Sequence, residues 1–295
     1  MDALLDVLAR VEREGTAVGH FNVADLVLLK AVLAAAAEIN VPVMVGASEG
    51  ERDFFGVHEL AALVKSLREE SGRPVFLNAD HTHSTKRAVE AVKAGFDSVV
   101  ADFSALPFAE NVARTKETVE ALKAINPSVV VEGEIGDIGT GSEIHDTVRS
   151  ESRNLTTPEE ARQFVAATGI DVLAPAVGNM HGMLKSMVQG TEKKRLNIER
   201  IGEIKKAAGI FLTLHGGSGT DDGDFRNAIA AGINIIHINT ELRVAWRRSL
   251  EDSLKRQPNE VVPYKILPPV VDSVKQVVES RLKLFNAPAT IRRSA

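Results

Sequence analysis

The chain contains no cysteine, and aromatic residues make up only 4% of its 295 residues, with one tryptophan and one tyrosine. Without cysteine, disulfide bonds and thiolate metal ligands are excluded, so any metal ion must be held by histidine nitrogen or carboxylate oxygen. The absence of thiols also agrees with a reducing compartment, and we expect a cytoplasmic location.

Long apolar runs and an excess of positive charge are missing too. No apolar stretch is long enough to span a bilayer, and residues 1–15 carry charges at helical spacing instead of the apolar centre of a signal peptide. The 35 lysines and arginines are scattered, and 40 acidic residues give a net charge of −5. We therefore expect neither a membrane nor nucleic acid as a partner.

What the sequence does contain is an alternation of short β-type runs with helical patterns. With 44% hydrophobic residues it can bury one large core, so a single domain over 1–295 is the simplest prediction. Strand-then-helix repetition predicts right-handed βαβ units and an α/β fold, and eight strands favour a closed (β/α)8 TIM barrel over an open doubly wound sheet. The predicted strands are 16–21, 41–46, 74–79, 97–101, 128–133, 170–175, 210–214 and 233–238.

Apolar residues recur at three and four positions in 24–39, 84–94 and 157–168, which predicts helices there. Thr157, followed by proline and two acids, is a typical helix start. After the last strand, the run from about 250 to 290 predicts extra C-terminal helices, packed outside the barrel or against another subunit. Prolines divide this run at Pro263, Pro268 and Pro269.

Three histidines fall where a β-type run gives way to a polar or glycine-rich loop: His81, His181 and His215. In a parallel barrel the loops after the strands carry the chemistry. A lone histidine on a strand is usually a hydrogen-bonded core residue, but three at strand ends reverse that expectation. They predict an open three-histidine metal site at the mouth of the barrel.

Five segments around these histidines stand out: NADH (78–81), VEGEIG (131–136), GNMHG (178–182), HGGSG (215–219) and INTEL (238–242). With these segments, in this order, the chain resembles the class II, zinc-dependent ketose-bisphosphate aldolases of the fructose-bisphosphate and tagatose-bisphosphate group. The resemblance covers nearly the whole chain. It implies a (β/α)8 barrel, a divalent metal that is usually zinc, a phosphorylated ketose as substrate, and a homodimer or homotetramer. Another divalent ion could replace zinc, and a monovalent cation could accompany it.

The resemblance places the zinc ligands on the same three histidines. The open coordination position would receive the ketose carbonyl and its neighbouring hydroxyl, and the cation would stabilise the enediolate left by carbon–carbon cleavage. Asp80 matches the aspartate that takes the proton from the C4 hydroxyl and returns it during condensation. The alternative for Asp80 is that it only orients a histidine.

A second acid is implied in the loop after strand five, GDIGTGSEIHD (136–146), where Glu143 is the candidate for moving the proton at the carbon that becomes the enediolate. Glu143 could instead be a solvated loop acid. Asp102 and Glu134 match positions near the metal and are interpreted as auxiliary ligands for an alternative or second cation.

For the substrate phosphate, backbone N–H groups of the glycine-rich loop after strand seven would form an anion nest at a recurring phosphate site of this fold. Arg281 resembles a C-terminal arginine that grips the distal phosphate, although it reads equally well as a solvated helix charge. The predicted substrate-binding residues are Asn22, Ser48, Gly182, Gly216, Gly217, Ser218 with Gly219, His237, Asn239, Thr240 and Arg281.

Three positions depart from the family pattern: His237 stands where asparagine is usual, Ile235 where lysine is frequent, and Asn78 where histidine is common. Fructose 1,6-bisphosphate is the expected substrate, but tagatose 1,6-bisphosphate or a ketose monophosphate stays open. His237 is either a protonation-dependent phosphate contact or a buried neutral histidine.

Other functions compete. A zinc barrel hydrolase would use a histidine pair such as His81 and His83, but nothing else completes that pattern. A catalytically silent sugar-phosphate binder would keep the barrel and lose turnover. A Schiff-base aldolase is disfavoured, because none of the eight predicted strands contains a lysine.

Overall fold

The eight predicted runs form one closed parallel barrel in the computed structural model, which describes residues 3–139, 141–146 and 155–287. Each strand pairs with its sequence neighbours, and the first closes onto the eighth with His20 opposite His237. The predicted TIM barrel is confirmed, with the third strand extending three residues further than expected. The barrel strands are Val18–Asn22, Val43–Ala47, Val75–Thr82, Ser98–Ala101, Val130–Ile135, Val172–Pro175, Phe211–Leu214 and Ile233–Ile238.

Helices surround this barrel, and a short parallel pair of strands, Ile144–His145 and Met183–Leu184, lies above it. The predicted helix start at Thr157 is confirmed, because its hydroxyl and Glu160 form a reciprocal capping box. The helices of the described residues are α1 Leu4–Glu14, α2 Leu26–Ile39, α3 Glu49–Phe55, α4 Val57–Ser71, α5 Thr85–Ala94, α6 Phe108–Ile125, α7 Pro158–Thr168, α8 Lys185–Val188, α9 Ile198–Ala208, α10 Asp222–Ala231, α11 Thr240–Arg256, α12 Pro263–Ile266 and α13 Pro268–Phe285.

Helix α1 closes the N-terminal end of the barrel. Its apolar face is buried against side chains from the first residues of the strands, so the bottom of the barrel is an apolar layer. Ile235, at the position where the family often has lysine, belongs to this layer. The residues packed together here are Leu4, Val7, Leu8, Val11, Val18, Met44, Phe76, Val130, Val172 and Ile235.

The predicted C-terminal helices are present and pack outside the barrel. One face of α13 lies against α2 and α11, and Phe285 at its end contacts Phe225 of α10 with ring centroids 5.2 Å apart. In the part of the chain that the structure describes, no helix is both long enough and apolar enough to cross a bilayer. The fully buried side chains of α13 are Val270, Val274, Val278, Leu282 and Phe285.

Candidate active site

The barrel interior changes from apolar to polar along each strand. On the fifth strand, Val130 packs in the apolar bottom layer, whereas Glu132 and Glu134, two and four residues later, are buried near the mouth. Because side chains alternate between the two faces of a strand, these residues share the interior face. The polar groups of the barrel therefore concentrate at the carboxyl ends of the strands, where ligands bind in this fold.

The third strand contributes two consecutive residues, Asp80 and His81, to this end. Its register against the fourth strand shifts between Ala79 and Thr82, and His81 has a positive φ of 38°. Such a shift lets two consecutive side chains point to the same side of a strand instead of to opposite sides. Asp80 and His81 accordingly both line a small cavity at the mouth of the barrel. A positive φ is unfavourable for a residue with a side chain, which indicates a conformation imposed by its surroundings.

The three predicted ligand histidines meet at this mouth. The ring centroid of His81 lies 4.6 Å from that of His181 and 4.8 Å from that of His215. One nitrogen from each ring lies within 4.8 Å of the other two. Among the described residues they therefore form a group that could hold a metal ion.

Each of these imidazoles is oriented through its other nitrogen. His81 Nδ1 donates to Asp102 Oδ2 at 2.8 Å, and His181 Nδ1 donates to the Gly139 carbonyl at 2.7 Å. His215 uses Nε2, which donates to Glu132 Oε1 at 2.5 Å. The remaining nitrogens are then lone-pair donors, which is the arrangement that metal-ligating histidines share.

The donor set fits a divalent ion such as zinc. His215 Nδ1 is buried without a hydrogen-bond partner, and Glu134 Oε2, 3.1 Å away, is also buried and unpaired. Buried polar atoms normally find partners, so two orphaned atoms facing each other indicate a missing positive group. Three neutral imidazoles leave a fourth position open on tetrahedral zinc.

The protonation of each histidine in the site depends on its burial, on the other histidines and on the nearby carboxylates. Burial lowers the pKa of His181 to about 3, with neighbouring His81 acting in the same direction. Burial also opposes protonation of His81, but the carboxylates of Asp80 and Asp102 outweigh it and raise its pKa to about 9. Without a metal ion, Asp80 and Asp102 therefore favour the protonated form of His81. A bound divalent cation would take the place of that positive charge.

The two auxiliary acids differ in their contacts. Asp102 holds His81 and also accepts from the Ser104 backbone N–H and hydroxyl. Glu134 Oε2 lies near both His215 and His81, and burial followed by the Asp102 charge raises the pKa of Glu134. His81, Asp102 and Glu134 form a second group of potential ligands that shares His81 with the triad.

Asp80 lies beside the triad with its carboxylate buried. Its Oδ2 accepts from Asn22 Nδ2 at 2.9 Å, while Oδ1 makes no hydrogen bond and lies 3.4 Å from His237 Nδ1 and 3.7 Å from His81 Nε2. Burial would raise the pKa of Asp80, but the neighbouring histidines, His81 first, hold it well below its usual range. The group is therefore an ionised carboxylate with one oxygen available.

Below the triad lies a stack of buried histidines, in which His237 was predicted as either a phosphate contact or a neutral core residue and His20 had no predicted role. His20 and His237 are parallel with ring centroids 3.5 Å apart, and His215 stacks on the other side of His237 at 4.1 Å. Burial, then the neighbouring histidines, holds the pKa of His237 well below its usual range, which favours its neutral form. Parallel rings cannot both aim lone pairs at one ion between them, so His20 and His237 do not make a good metal site.

The predicted anion nest differs from the structure in part. The Gly217 N–H donates to the His237 carbonyl and the Gly219 N–H to Glu241, so these two groups are occupied within the protein. The hydroxyl of Ser218 accepts from two backbone N–H groups, those of Asn239 and Glu241. The predicted residues that do line the smaller cavity beside the triad are Asn22, Gly182, Gly216, Ser218, His237, Asn239 and Thr240.

Arg281 lies elsewhere. Its guanidinium donates to both oxygens of Glu241 and to Asp222, and it covers the Phe225 ring at 5.4 Å. It lines neither of the two cavities that His81 and His181 border. The two carboxylates make Arg281 a fixed internal ion pair, so the arrangement does not present it to a phosphate in this cavity.

A larger cavity of about 280 Å³ opens beside the triad. Ser48 and Glu143 both line it, Ser48 at the start of α3 and Glu143 as an exposed acid on the loop after strand five. His83 also lies at this edge with a side chain 58% exposed, and no potential metal group of the described residues includes it. The histidine pair needed by a barrel hydrolase is therefore not assembled.

Two buried cations brace the loops of the site, and neither was found from the sequence. Arg52, 1% exposed, donates to the carbonyls of Ala47 and Asp80 and to the Thr82 hydroxyl, on both sides of His81. Lys194 Nζ donates to the carbonyls of Met180, Gly182 and Gly216. Since the eight strands contain no lysine, a Schiff base on the barrel strands is excluded.

Comparison with known proteins agrees with this geometry. The family model of fructose-bisphosphate aldolase class-II matches residues 2–289. A protein of Bacillus subtilis (strain 168) named "Probable fructose-bisphosphate aldolase" is 36% identical over 288 residues, 97% of each chain. A fructose-bisphosphate aldolase of Thermus caldophilus is 35% identical, covering 96% of this chain and 97% of its own. The crystal structure of the YdjI aldolase from Escherichia coli K12 superposes with a TM-score of 0.80 at 28% identity, covering 97% of both chains.

Proposed function

The chain belongs to the class-II fructose-bisphosphate aldolase family, and we propose that this aldolase cleaves fructose 1,6-bisphosphate reversibly into dihydroxyacetone phosphate and glyceraldehyde 3-phosphate. An aldolase is a carbon–carbon lyase. The observation that carries the proposal is the triad of His81, His181 and His215, each held through its outer nitrogen, beside the ionised Asp80.

We assign zinc to this triad, because imidazole nitrogens suit it and the orphaned His215 Nδ1 calls for a cation. A bound divalent ion supplies Lewis-acid chemistry, namely positive charge beside the ketose carbonyl when the carbon–carbon bond breaks. The outer acceptors, Asp102, Gly139 and Glu132, keep the three rings aimed at one point.

Proton transfer falls to the two acids that face the cavity. The unpaired Oδ1 of Asp80 is available for the proton of the C4 hydroxyl, and Asn22 holds the other oxygen in place. Glu143 lies at the rim of the larger cavity, on the loop after the fifth strand. We assign to it the transfer of the proton at the carbon that becomes the enediolate.

We assign the phosphate next to the ketose carbonyl to the smaller cavity, because hydrogen-bond donors line it. Ser218 accepts two N–H groups through its oxygen, so its own hydrogen remains to donate to an oxyanion. Thr240 stands at the first position of α11, a 17-residue helix whose N-terminus favours negative charge. These donors replace the part of the predicted nest that Gly217 and Gly219 cannot supply.

A homodimer or homotetramer and a cytoplasmic location complete the proposal. Val261, just before α12, and Tyr264, within it, are 84% and 77% exposed, a degree of exposure that favours contact with another subunit. Light scattering on the purified protein tests assembly, and cell fractionation tests location.

Cleavage assays test the function directly. Fructose 1,6-bisphosphate, tagatose 1,6-bisphosphate and fructose 1-phosphate are compared on one preparation, untreated, treated with chelator, and resupplied with zinc. We expect chelator-sensitive cleavage, restored by zinc, with fructose 1,6-bisphosphate preferred. Preference for tagatose bisphosphate or a monophosphate would correct the substrate, and metal binding without any cleavage would favour a silent sugar-phosphate binder.

Substitution of Asp80 separates its two candidate roles. Asp80→Asn keeps the shape and the Asn22 contact but removes the base, so we expect kcat to fall about 100- to 10,000-fold with zinc content unchanged. Loss of zinc together with activity would show that Asp80 only orients the site.

A further inference from the structure

The loops that carry two of the triad histidines meet at a buried ammonium group. Met180 and Gly182 stand on either side of one ligand histidine, and Gly216 directly follows another. Their backbone carbonyl oxygens lie 2.7, 2.7 and 2.8 Å from Nζ of Lys194, a residue that is 4% exposed. We call these three C=O groups the carbonyl cradle. One side chain therefore connects the loops after the sixth and seventh barrel strands.

The two loops touch each other at the carbonyl cradle. A Cβ atom on Gly216 would lie 2.2 Å from the Met180 carbonyl oxygen, and Gly182 and Gly216 have positive φ values of 74° and 58°. Carbonyl oxygens that converge on one point repel each other, because each carries partial negative charge. Potassium channels offset this repulsion with a monovalent ion, for which rings of backbone carbonyls replace the hydration shell. The cradle therefore needs a positive charge at its centre.

Lys194, on the loop between α8 and α9, supplies that charge from within the chain. An ammonium has three N–H donors and a neutral amine has only two, so contacts with three carbonyls require the charged form. The backbone of Lys194 is fixed as well, because its N–H donates to the Gly219 carbonyl at 2.8 Å and its carbonyl accepts from the Asp221 N–H at 3.2 Å. Since Nζ occupies the centre of the cradle, a free monovalent ion does not fit there.

The ammonium also lies close to the smaller cavity. Two members of the cradle, Gly182 and Gly216, line that cavity, whereas Lys194 itself does not. Its charge therefore acts through the cavity wall and not by contact with a ligand. Buried charges are screened less than exposed ones, so a positive charge at this depth favours an anion in the cavity.

We propose that the ammonium of Lys194 takes the place of the monovalent cation that the family resemblance allows beside the divalent metal. Lys194 is a positioning residue, which holds the loops of His181 and His215 together. It also places a fixed positive charge behind the cavity assigned to the substrate phosphate, a role that rests on the proposed aldolase function. The protein should therefore require zinc but neither potassium nor sodium.

The first test compares monovalent salts on the zinc-loaded wild-type protein. Chlorides of potassium, sodium and tetramethylammonium are used at one ionic strength, which keeps screening constant, and tetramethylammonium is too large to enter the cradle. We expect the same kcat/KM for fructose 1,6-bisphosphate and the same midpoint of thermal unfolding in all three salts. A requirement of the wild-type protein for potassium or sodium would overturn the proposal.

The second test removes the ammonium. Lys194→Ala leaves the carbonyl cradle without its cation, so in tetramethylammonium chloride we expect kcat/KM to fall about 10- to 100-fold, the range for loss of a hydrogen bond to a charged group. Potassium or ammonium chloride should restore part of kcat/KM and raise the unfolding midpoint. Lys194→Met fills the same space with an apolar chain and should show the loss without the rescue. Lys193→Ala, an exposed neighbour, is the matched control and should behave as the wild type.

A merely structural role of Lys194 would impair Lys194→Ala equally in every salt, which contradicts the proposal. Should Lys194→Ala fail to fold in tetramethylammonium chloride, recovery of the folded protein in potassium chloride would support the proposal, and failure in both salts would refute it. Thermal unfolding separates this inference from the proposed function, because it requires no turnover. Potassium-dependent unfolding of Lys194→Ala, in a protein whose wild type cleaves no ketose phosphate, would keep the cation role and refute the aldolase activity.

Discussion

Gly46 and His20 compete for one position inside the barrel: a Cβ atom on residue 46 would lie 2.0 Å from the His20 ring. The second strand thus gives up a side chain so that the first can place an imidazole in the interior. His20 then donates to Asn78 at 3.1 Å and stacks on His237. Asn78 and His237, two of the residues that depart from the family pattern, therefore pack as one unit with His20 and Gly46.

Gly46→Ala should lower the free energy of unfolding by about 1–3 kcal/mol, because the new methyl group overlaps a fully buried ring. Urea unfolding measures the change. Gly202→Ala is the control, since its Cβ would meet no atom within 4 Å and alanine favours a helix. In a His20→Ala background the cost of Gly46→Ala should shrink; an equal cost in both backgrounds would contradict the competition between the two residues.

Arg52→Met should destabilise the fold and loosen the metal site together. It removes the donor that holds carbonyl and hydroxyl groups on both sides of the strained His81. We expect about 3 kcal/mol less stability and a 10- to 100-fold loss of zinc affinity, measured by urea unfolding and by competition with a chelator. Arg114→Met, which breaks only an exposed pair with Glu117, should change neither quantity.

Zinc binding to the metal-free protein should release about two protons at pH 7, because His81 and His215 must lose theirs while His181 is already neutral. The pKa of His81 is raised to about 9, that of His215 is also raised, and that of His181 is lowered to about 3. Zinc affinity should therefore rise with pH until pH 9 is passed. Calorimetry in buffers of different ionisation enthalpy gives the proton count, and an affinity independent of pH between 6 and 8 would contradict it.

Glu143→Gln should block proton exchange at the ketose fragment while zinc content stays unchanged. Exchange of a dihydroxyacetone phosphate hydrogen with deuterated solvent, followed by nuclear magnetic resonance, should slow about 100-fold. Asp146→Asn on the same loop, an exposed acid paired with Lys185, serves as the control. Undiminished exchange in Glu143→Gln would assign the second proton to another acid.

The sequence alone predicted the barrel because its signals are local. Short β-type runs, the helix start at Thr157 and the polar residues at strand ends can each be recognised from a few neighbouring residues. The family assignment from the histidine motifs is confirmed by the match over residues 2–289. That residues 1–295 form a single domain stays a prediction.

What the sequence could not predict depends on pairings between distant residues. Glu51 and Arg243 are separated by 192 positions, and no local pattern in the sequence pairs them. The Gly217 N–H looked free for a phosphate until the fold placed the His237 carbonyl against it. Arg281 likewise looked available until Glu241 and Asp222 were brought beside it. His20 had a local signal, since it shares alternation with Val18 and Asn22 and so had to face inward.

Helix α1 packs Leu4, Val7, Leu8 and Val11 into the bottom of the barrel, so the barrel is closed at that end. Any ligand that reaches the triad therefore enters at the carboxyl ends of the strands, and any product leaves at the same end. Both fragments of a cleaved sugar therefore leave through the end by which the sugar entered.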